Sequence, residues 1–121
     1  VLLAFVYFTV FAVRVNIELG VGYTAGPRDA AHKPLSTVTG RLSRAYSNHV
    51  ETLPWFAATF IVAHLAMPGD GFVVACGWVY LAARVLYLPA YVTNFPFVRS
   101  SVWAVATGAI LAANLYLLAL A

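Results

Sequence analysis

The stretch RLSRAYSNHVETLPWF, residues 41–56, places two arginines, an asparagine, a histidine and a glutamate directly before the apolar run AATFIVAHLAM. Arg44, Asn48 and Glu51 are spaced by four and three residues, so in a helix they lie on one face. The composition of the rest of the chain decides whether that face meets water or lipid.

The composition is typical of a membrane protein. Hydrophobic residues make up 63% of the 121 residues and charged residues only 9%, with a mean hydropathy of +0.86, whereas soluble domains are about half apolar and a quarter charged. The length favours a single domain, residues 1–121. The seven basic residues, which give a formal net charge of +3, are scattered singly between apolar runs, so no nucleic-acid surface is expected.

Turn-rich segments divide the chain into four apolar stretches. Residues 100–121 pass the strict test of at least ~18 apolar residues without a charge, while the other three stretches are interrupted by polar residues. Because helices are the open-ended structures that satisfy their backbone in lipid, we predict four transmembrane helices. They cover residues 1–19, 37–67, 71–94 and 100–121.

The basic residues indicate the orientation of these spans. The second loop contains Asp70 and no basic residue. Six of the seven basic residues lie in or beside the first and third loops: Arg14, Arg28, Lys33, Arg41, Arg44 and Arg99. By the positive-inside rule these two loops are cytoplasmic and both termini lie on the far side of a multi-pass protein.

A second polar stripe lies on the third span, where Tyr80, Arg84, Tyr87 and Tyr91 repeat the spacing of four, three and four. A charged residue near mid-bilayer costs roughly 2.5–3.5 kcal/mol. With Arg44, Glu51 and Arg84 all facing lipid, the cost would be on the order of 8–10 kcal/mol. Both stripes are therefore predicted to face inward, where their charges pair or line a cavity.

Two interpretations of the stripes are open. The arginines and the glutamate could pair as a structural lock between helices, with Asn48 as an interhelical hydrogen bonder. Alternatively, the stripes could bind a small zwitterion, an arginine holding its carboxylate and the glutamate its ammonium group. His49 and His64 lie off the stripe without partners at metal-ligand spacing, so no metal is predicted.

These residues resemble the signature of the MAPEG family, the membrane-associated proteins of eicosanoid and glutathione metabolism. The second span of that family reads Arg-Ala-x-x-Asn-x-x-Glu, followed by a proline and a phenylalanine. The segment CGWVYLAARVLYLPAY, residues 76–91, is similar to the family's third span, and the long first loop with GPRD at residues 26–29 resembles bacterial members. The matching residues of the second span are Arg44, Ala45, Asn48, Glu51, Pro54 and Phe56.

The resemblance implies a four-helix transmembrane bundle assembled as a homotrimer, here in a bacterial inner membrane. It implies glutathione as a co-substrate held between subunits at the cytoplasmic half, and a transferase or peroxidase acting on a lipophilic second substrate from the bilayer. Arg99, at the start of span four, would be the catalytic residue that stabilises the thiolate. The substrate-binding residues predicted from the stripes and the resemblance are Arg14, Arg44, Asn48, Glu51, Arg84, Tyr87 and Tyr91.

Three positions depart from the family pattern. Thr52 stands where the glutathione-using enzymes have tyrosine, and Tyr46 stands where they have a hydrogen-bonding residue such as glutamine. Arg99 lies one residue later, relative to Tyr91, than in the leukotriene C synthases. Enzymatic activity is therefore left open. The alternative is a non-enzymatic membrane subunit of a larger hetero-complex, in which the charged stripe is an interhelical lock. A lipid- or quinone-binding module is permitted by the apolar spans but not required.

Overall fold

A computed structural model describes residues 1–29, 31–93 and 96–120, with the side chain of Pro96 excepted. The described residues form helices and no strand. The predicted ends of the third span at Asn94 and of the fourth at Ala121 lie outside the described residues. The helices are α1 (Leu2–Leu19), α2 (Val21–Ala25), α3 (Thr37–Ala66), α4 (Gly71–Val92) and α5 (Pro96–Leu120).

Three of these helices, α1, α4 and α5, are long and apolar enough to cross a membrane. Helix α3 has 30 residues, which is ample length, but its first half contains the polar stripe and dilutes its apolar character. The structure therefore supports a multi-pass membrane protein with three candidate spans in its described part. The fourth span, α3, stays a prediction.

Two boundaries differ from the sequence expectation. Helix α5 begins at Pro96, before the predicted start at Ser100, because proline is favoured at the first position of a helix. Arg99 consequently lies in the first turn of α5. The first loop also contains the short helix α2, and Gly20 turns the chain from α1 into α2 with a φ of 82°, a conformation that suits glycine.

The end of α1 is fastened to the start of α3. Ser36 caps α3, its hydroxyl accepting the Thr39 N–H at 3.2 Å. The carboxylate of Glu18 accepts the Ser36 N–H at 2.9 Å and the hydroxyls of Ser36 and Thr39. A carboxylate at a helix N-terminus is stabilised by the helix dipole, so this contact holds the end of α1 against the start of α3.

A similar contact fixes the other end. Asp70 caps α4 by accepting the N–H groups of Phe72 and Val73, each at 3.0 Å. The hydroxyl of Tyr116 on α5 donates to the second oxygen of Asp70 at 3.2 Å. One carboxylate therefore both starts α4 and holds the end of α5.

Hydrogen bonds join the middle parts of the helices, and small residues allow α4 and α5 to approach closely. Between the caps, Asn114 of α5 donates to Thr59 of α3 at 2.8 Å, and Tyr7 of α1 donates to the carbonyl of Arg84 at 2.7 Å. Hydrogen bonds and close packing of small side chains are the interactions that hold helices together in lipid. The core between α4 and α5 consists of Cys76, Tyr80, Ala83, Ala106, Ala109, Ile110 and Ala113.

Replacing Asp70 with alanine is expected to lower the free energy of unfolding by about 1 kcal/mol, because loss of an N-cap costs roughly 0.5–2 kcal/mol. Denaturation of the purified protein in detergent, followed by circular dichroism, measures the change. Asp29→Ala is the matched control, because Asp29 is an exposed loop residue and its loss is expected to stay within about 0.5 kcal/mol. Equal stabilities of the two variants would contradict the role given to Asp70.

Candidate functional site

Arg84 of α4 is fully buried, with 0% of its surface exposed. Its two terminal nitrogens bridge to α3: Nη1 donates to Oδ1 of Asn48 and Nη2 donates to Oγ1 of Thr52, each at 2.8 Å. The guanidinium therefore joins the polar stripe of α4 to that of α3.

The positive charge of Arg84 is stabilised by neutral groups. Its guanidinium carbon lies 5.4 Å from the centroid of the Tyr80 ring and 5.3 Å from that of Tyr87, a distance at which a cation is attracted to the face of an aromatic ring. Among the described residues the only ion pair joins Arg14 to Glu18, at 3.6 Å. Arg84 thus ties α4 to α3 without the carboxylate of Glu51.

A cavity of about 460 Å³ opens beside this contact, where α3, α4 and α5 meet. It is lined by Asn48, by Tyr87 and Tyr91, and by Arg99 with its neighbours on α5. The guanidinium carbon of Arg99 lies 5.0 Å from the Tyr91 ring centroid, and the rings of Tyr91 and Tyr87 meet edge to face at 5.4 Å. Four of the eight predicted site residues therefore share one cavity.

The chemistry of this cavity favours an anion. Arg99 gives it a cation, and no acidic side chain lines it within the described residues. Because Oδ1 of Asn48 accepts from Arg84, the amide nitrogen of Asn48 is left as a donor for a ligand. Hydroxyl groups of Tyr87 and Tyr91 add further hydrogen-bonding positions. The cavity therefore suits a carboxylate or a thiolate.

Arg44 and Glu51 lie elsewhere than expected for an inward-facing stripe, since both are exposed in the single chain. The buried face of α3 contains Leu42, Ala45 and His49. At ~100° per residue, Arg44 and Glu51 lie roughly 130–150° around the helix from the centre of that face, whereas Asn48 lies about 90° from it, at its edge. Only Asn48, the middle residue of the stripe, reaches the cavity.

Arg14 and Arg84 lie outside the lining of this cavity, and their predicted contacts with a ligand stay predictions. Arg14 is partly buried and pairs with Glu18 on its own helix, at the α1–α3 junction and not at the cavity. Arg84 is fully buried and does not line the cavity, but it donates to Asn48, which does. The structure brings Asn48, Tyr87, Tyr91 and Arg99 together, with Arg84 supporting them and Arg44 and Glu51 on the open side of α3.

Sequence reasoning missed three residues of this region. Thr52, treated as a departure from the family pattern, accepts the second hydrogen bond of Arg84. Its spacing of four from Asn48 was the signal that could have identified it. Ser100 and Trp103 line the cavity beside Arg99, and no motif marks them, because their position depends on where α5 begins.

The described residues contain no group of three histidine, cysteine, aspartate or glutamate side chains close enough to hold a metal ion. Long apolar helices around a buried cation and a polar cavity define a multi-pass integral membrane protein. The model of the MAPEG family matches residues 1–119, and the chain belongs to this family. Searches of curated proteins and of solved structures find no match.

Arg84→Gln is expected to lower the free energy of unfolding by about 1.5–3 kcal/mol, the range for hydrogen bonds to charged groups. The substitution removes the bonds that hold Asn48 and Thr52, and detergent denaturation followed by circular dichroism measures the loss. Arg44→Gln is the control, because Arg44 is an exposed arginine of the α3 stripe. Its replacement should change the free energy of unfolding by less than about 0.5 kcal/mol. A stability loss no greater than that of the control would argue against a supporting role for Arg84.

Proposed function

We propose that this chain is a glutathione-dependent transferase or peroxidase acting on lipophilic electrophiles. The observation that carries the proposal is the cavity that combines the amide of Asn48, the hydroxyls of Tyr87 and Tyr91 and the guanidinium of Arg99. Glutathione has carboxylates, an ammonium group and a thiol, so it matches a site that offers donors, a cation and, along the stripe, an acid.

Arg99 is the proposed catalytic residue. A cation next to a thiol favours the thiolate, which is the nucleophile. Its guanidinium is held over the ring of Tyr91 in the first turn of α5 and is partly exposed to the cavity. The thiolate sulfur would form a bond to the electrophilic atom of a substrate that enters from the surrounding lipid, while the bond from that atom to its leaving group breaks and the leaving group takes the electron pair. In the peroxidase reaction the sulfur would attack the peroxide, the O–O bond would break to release an alcohol, and a second glutathione would reduce the resulting sulfenic acid to a disulfide and water.

Arg44 and Glu51 complete the proposed site from its open side. Both lie on the exposed edge of α3 within two turns of Asn48, and in lipid such charges need partners. In the proposed homotrimer a neighbouring copy covers this edge, so that Arg44 clamps a glutathione carboxylate and Glu51 takes the ammonium group. Helix α3 is then the fourth span, with the site at the cytoplasmic half.

The second candidate function is a non-enzymatic membrane subunit. The contact that favours it is the bridge from Arg84 to Asn48 and Thr52, which is a sufficient structural reason for these three polar residues. In that case the cavity beside Arg99 needs no ligand, and glutathione would not bind. Binding of glutathione therefore separates the two candidates.

Calorimetric titration of glutathione into the protein in lipid nanodiscs is expected to show binding. Asn48→Ala and Glu51→Gln should each weaken it by roughly tenfold to a hundredfold, since each removes a charged or charge-assisted hydrogen bond worth about 1.5–3 kcal/mol. Ser47→Ala, an exposed neighbour off the stripe, is the control and should bind as the parent does. Absence of binding to the parent protein would favour the non-enzymatic subunit.

Arg99→Ala is expected to bind glutathione but to lose most of the thiolate, which is detected by its ultraviolet absorbance on adding glutathione. The physical reason is that the thiol loses its neighbouring cation, so its pKa returns toward that of glutathione in water. Lys33→Ala removes a basic residue of the exposed first loop and should leave the thiolate signal unchanged. An undiminished signal in Arg99→Ala would remove the catalytic role from Arg99.

A further inference from the structure

A cavity of about 540 Å³ lies between α1, the short helix α2 and the first loop. It shares no lining residue with the cavity that Arg99 borders. Its walls on α1 are mostly apolar and include Phe8, Phe11 and Val15. The volume is within the range of about 300–1,000 Å³ that is common for small-molecule sites. The polar side chains that line it are Asn16, Tyr23, Thr24, Arg28 and His32.

Arg28 supplies a positive charge to this cavity. Its backbone has a φ of 62°, which is uncommon for a residue other than glycine, and its side chain folds back on α2. The Nε and Nη2 groups donate to the carbonyl of Thr24 at 3.0 and 2.6 Å. The carbonyl of Arg28 in turn accepts from the hydroxyl of Tyr23 at 3.4 Å. These contacts hold the guanidinium in place with neutral partners.

The charge of Arg28 has no counterion within the described residues. No acidic side chain of that part of the chain lines the cavity, and Arg28 forms no ion pair there, although Asp29 follows it in sequence. Because Oδ1 of Asn16 accepts from the hydroxyl of Thr24, the amide nitrogen of Asn16 is left as a donor for a ligand. Nδ1 of His32 donates to a backbone carbonyl at 2.7 Å, which leaves Nε2 as an acceptor in the neutral ring. The cavity therefore suits an anion that also has a hydroxyl group.

The cavity has its polar end at the end of a candidate membrane span. Helix α1 is long and apolar enough to cross a membrane. Arg28 is bonded to Thr24, and Thr24 is bonded to Asn16 in the last turn of α1. The apolar walls extend from Leu19 back to Phe8, which at ~1.5 Å per residue is about 16 Å along the helix. The charge thus lies at the depth of lipid headgroups and the apolar walls at the depth of acyl chains.

We infer that this cavity binds the phosphate end of an anionic phospholipid, with part of one acyl chain along the apolar walls of α1. The planar guanidinium of arginine matches the geometry of a phosphate, and basic pockets between membrane helices bind anionic headgroups. Phosphatidylglycerol is a suitable example, because its headgroup also provides a hydroxyl group for the acceptor nitrogen of His32. The inference does not rest on glutathione binding.

A soluble anion and a neighbouring copy of the chain are the competing occupants. Inorganic phosphate would pair with Arg28 but would leave the apolar walls uncovered. An apolar helix of a neighbouring copy would cover the walls but would leave the charge of Arg28 without an anion. A phospholipid accounts for both ends of the cavity, which is why we commit to it.

The test is native mass spectrometry of the full assembled protein, titrated in detergent with phosphatidylglycerol or with phosphatidylcholine of the same acyl chains. The parent protein is expected to bind phosphatidylglycerol about fivefold more tightly, the effect of one cation next to an anionic lipid. Arg28→Gln should remove most of this preference, and Arg28→Lys should keep it. Lys33→Gln removes the same charge from an exposed residue outside the lining and should leave the preference unchanged.

Ala12→Trp is an independent variant that narrows the cavity and leaves Arg28 in place. It should abolish the preference, and it decides the question if Arg28→Gln does not fold. Ile17→Trp adds the same ring at an exposed position of α1 outside the lining and should bind both lipids as the parent does.

Four results would overturn the inference. Equal affinity of the parent protein for the two lipids would mean that a neighbouring copy covers the cavity or that it stays empty. An unchanged preference in a folded Arg28→Gln or Ala12→Trp would place the lipid elsewhere. An equal loss in Lys33→Gln would indicate a diffuse attraction to the basic loop, and displacement of phosphatidylglycerol by inorganic phosphate would assign the cavity to a soluble anion.

Discussion

Burial of the Arg84 guanidinium is the constraint on which the arrangement of α3 and α4 depends. A cation in the interior of a membrane protein requires acceptors at fixed positions. Here the acceptors are the side-chain oxygens of Asn48 and Thr52, and the rings of Tyr80 and Tyr87 lie next to the guanidinium. These contacts hold the register of α3 against α4. They also fix Oδ1 of Asn48, a residue that lines the same cavity as Arg99.

The α3–α4 pair has two different sides. On the α5 side lies a polar cavity with a cation and several donors, which suits an anionic group. On the α1 side, a cavity with mainly apolar walls borders the buried side chain of His49. A chain of hydrogen-bonding contacts from Tyr80 through Thr52 and Arg84 to Asn48 lies between them. Each side can therefore be altered by substitutions that leave the other cavity's lining intact.

The exposed ends of the α3 stripe bear on the proposed assembly. Arg44 and Glu51 contact no charged partner among the described residues, and if α3 spans the membrane, as proposed, their exposure to lipid would be costly. A neighbouring copy that covers this edge would bury both charges next to the cavity. In that arrangement assembly and ligand binding stabilise one another, because the same interface completes the site.

The sequence by itself determined which side chains share a helix face and that the chain is helical and membrane-bound. The four-three spacing of Arg44, Asn48 and Glu51, and that of Tyr80, Arg84, Tyr87 and Tyr91, follow from the helical repeat, which is a local property. The family resemblance added the expectations that Arg99 is catalytic and that glutathione is the ligand. The long helices also occupy the segments that the apolar stretches mark, and the match of the family model to residues 1–119 confirms the resemblance.

Only the tertiary structure decided which side of each stripe is covered. It buried Arg84 next to Asn48 and left Arg44 and Glu51 exposed. It also paired Arg14 with Glu18. His49, which lies off the polar stripe, belongs to the buried face of α3. The physical reason is that a helix fixes the directions of its side chains relative to one another. The rotation of that helix against its neighbours is set by packing between residues distant in sequence, such as Tyr7 against His49 and the small residues of α4 against α5.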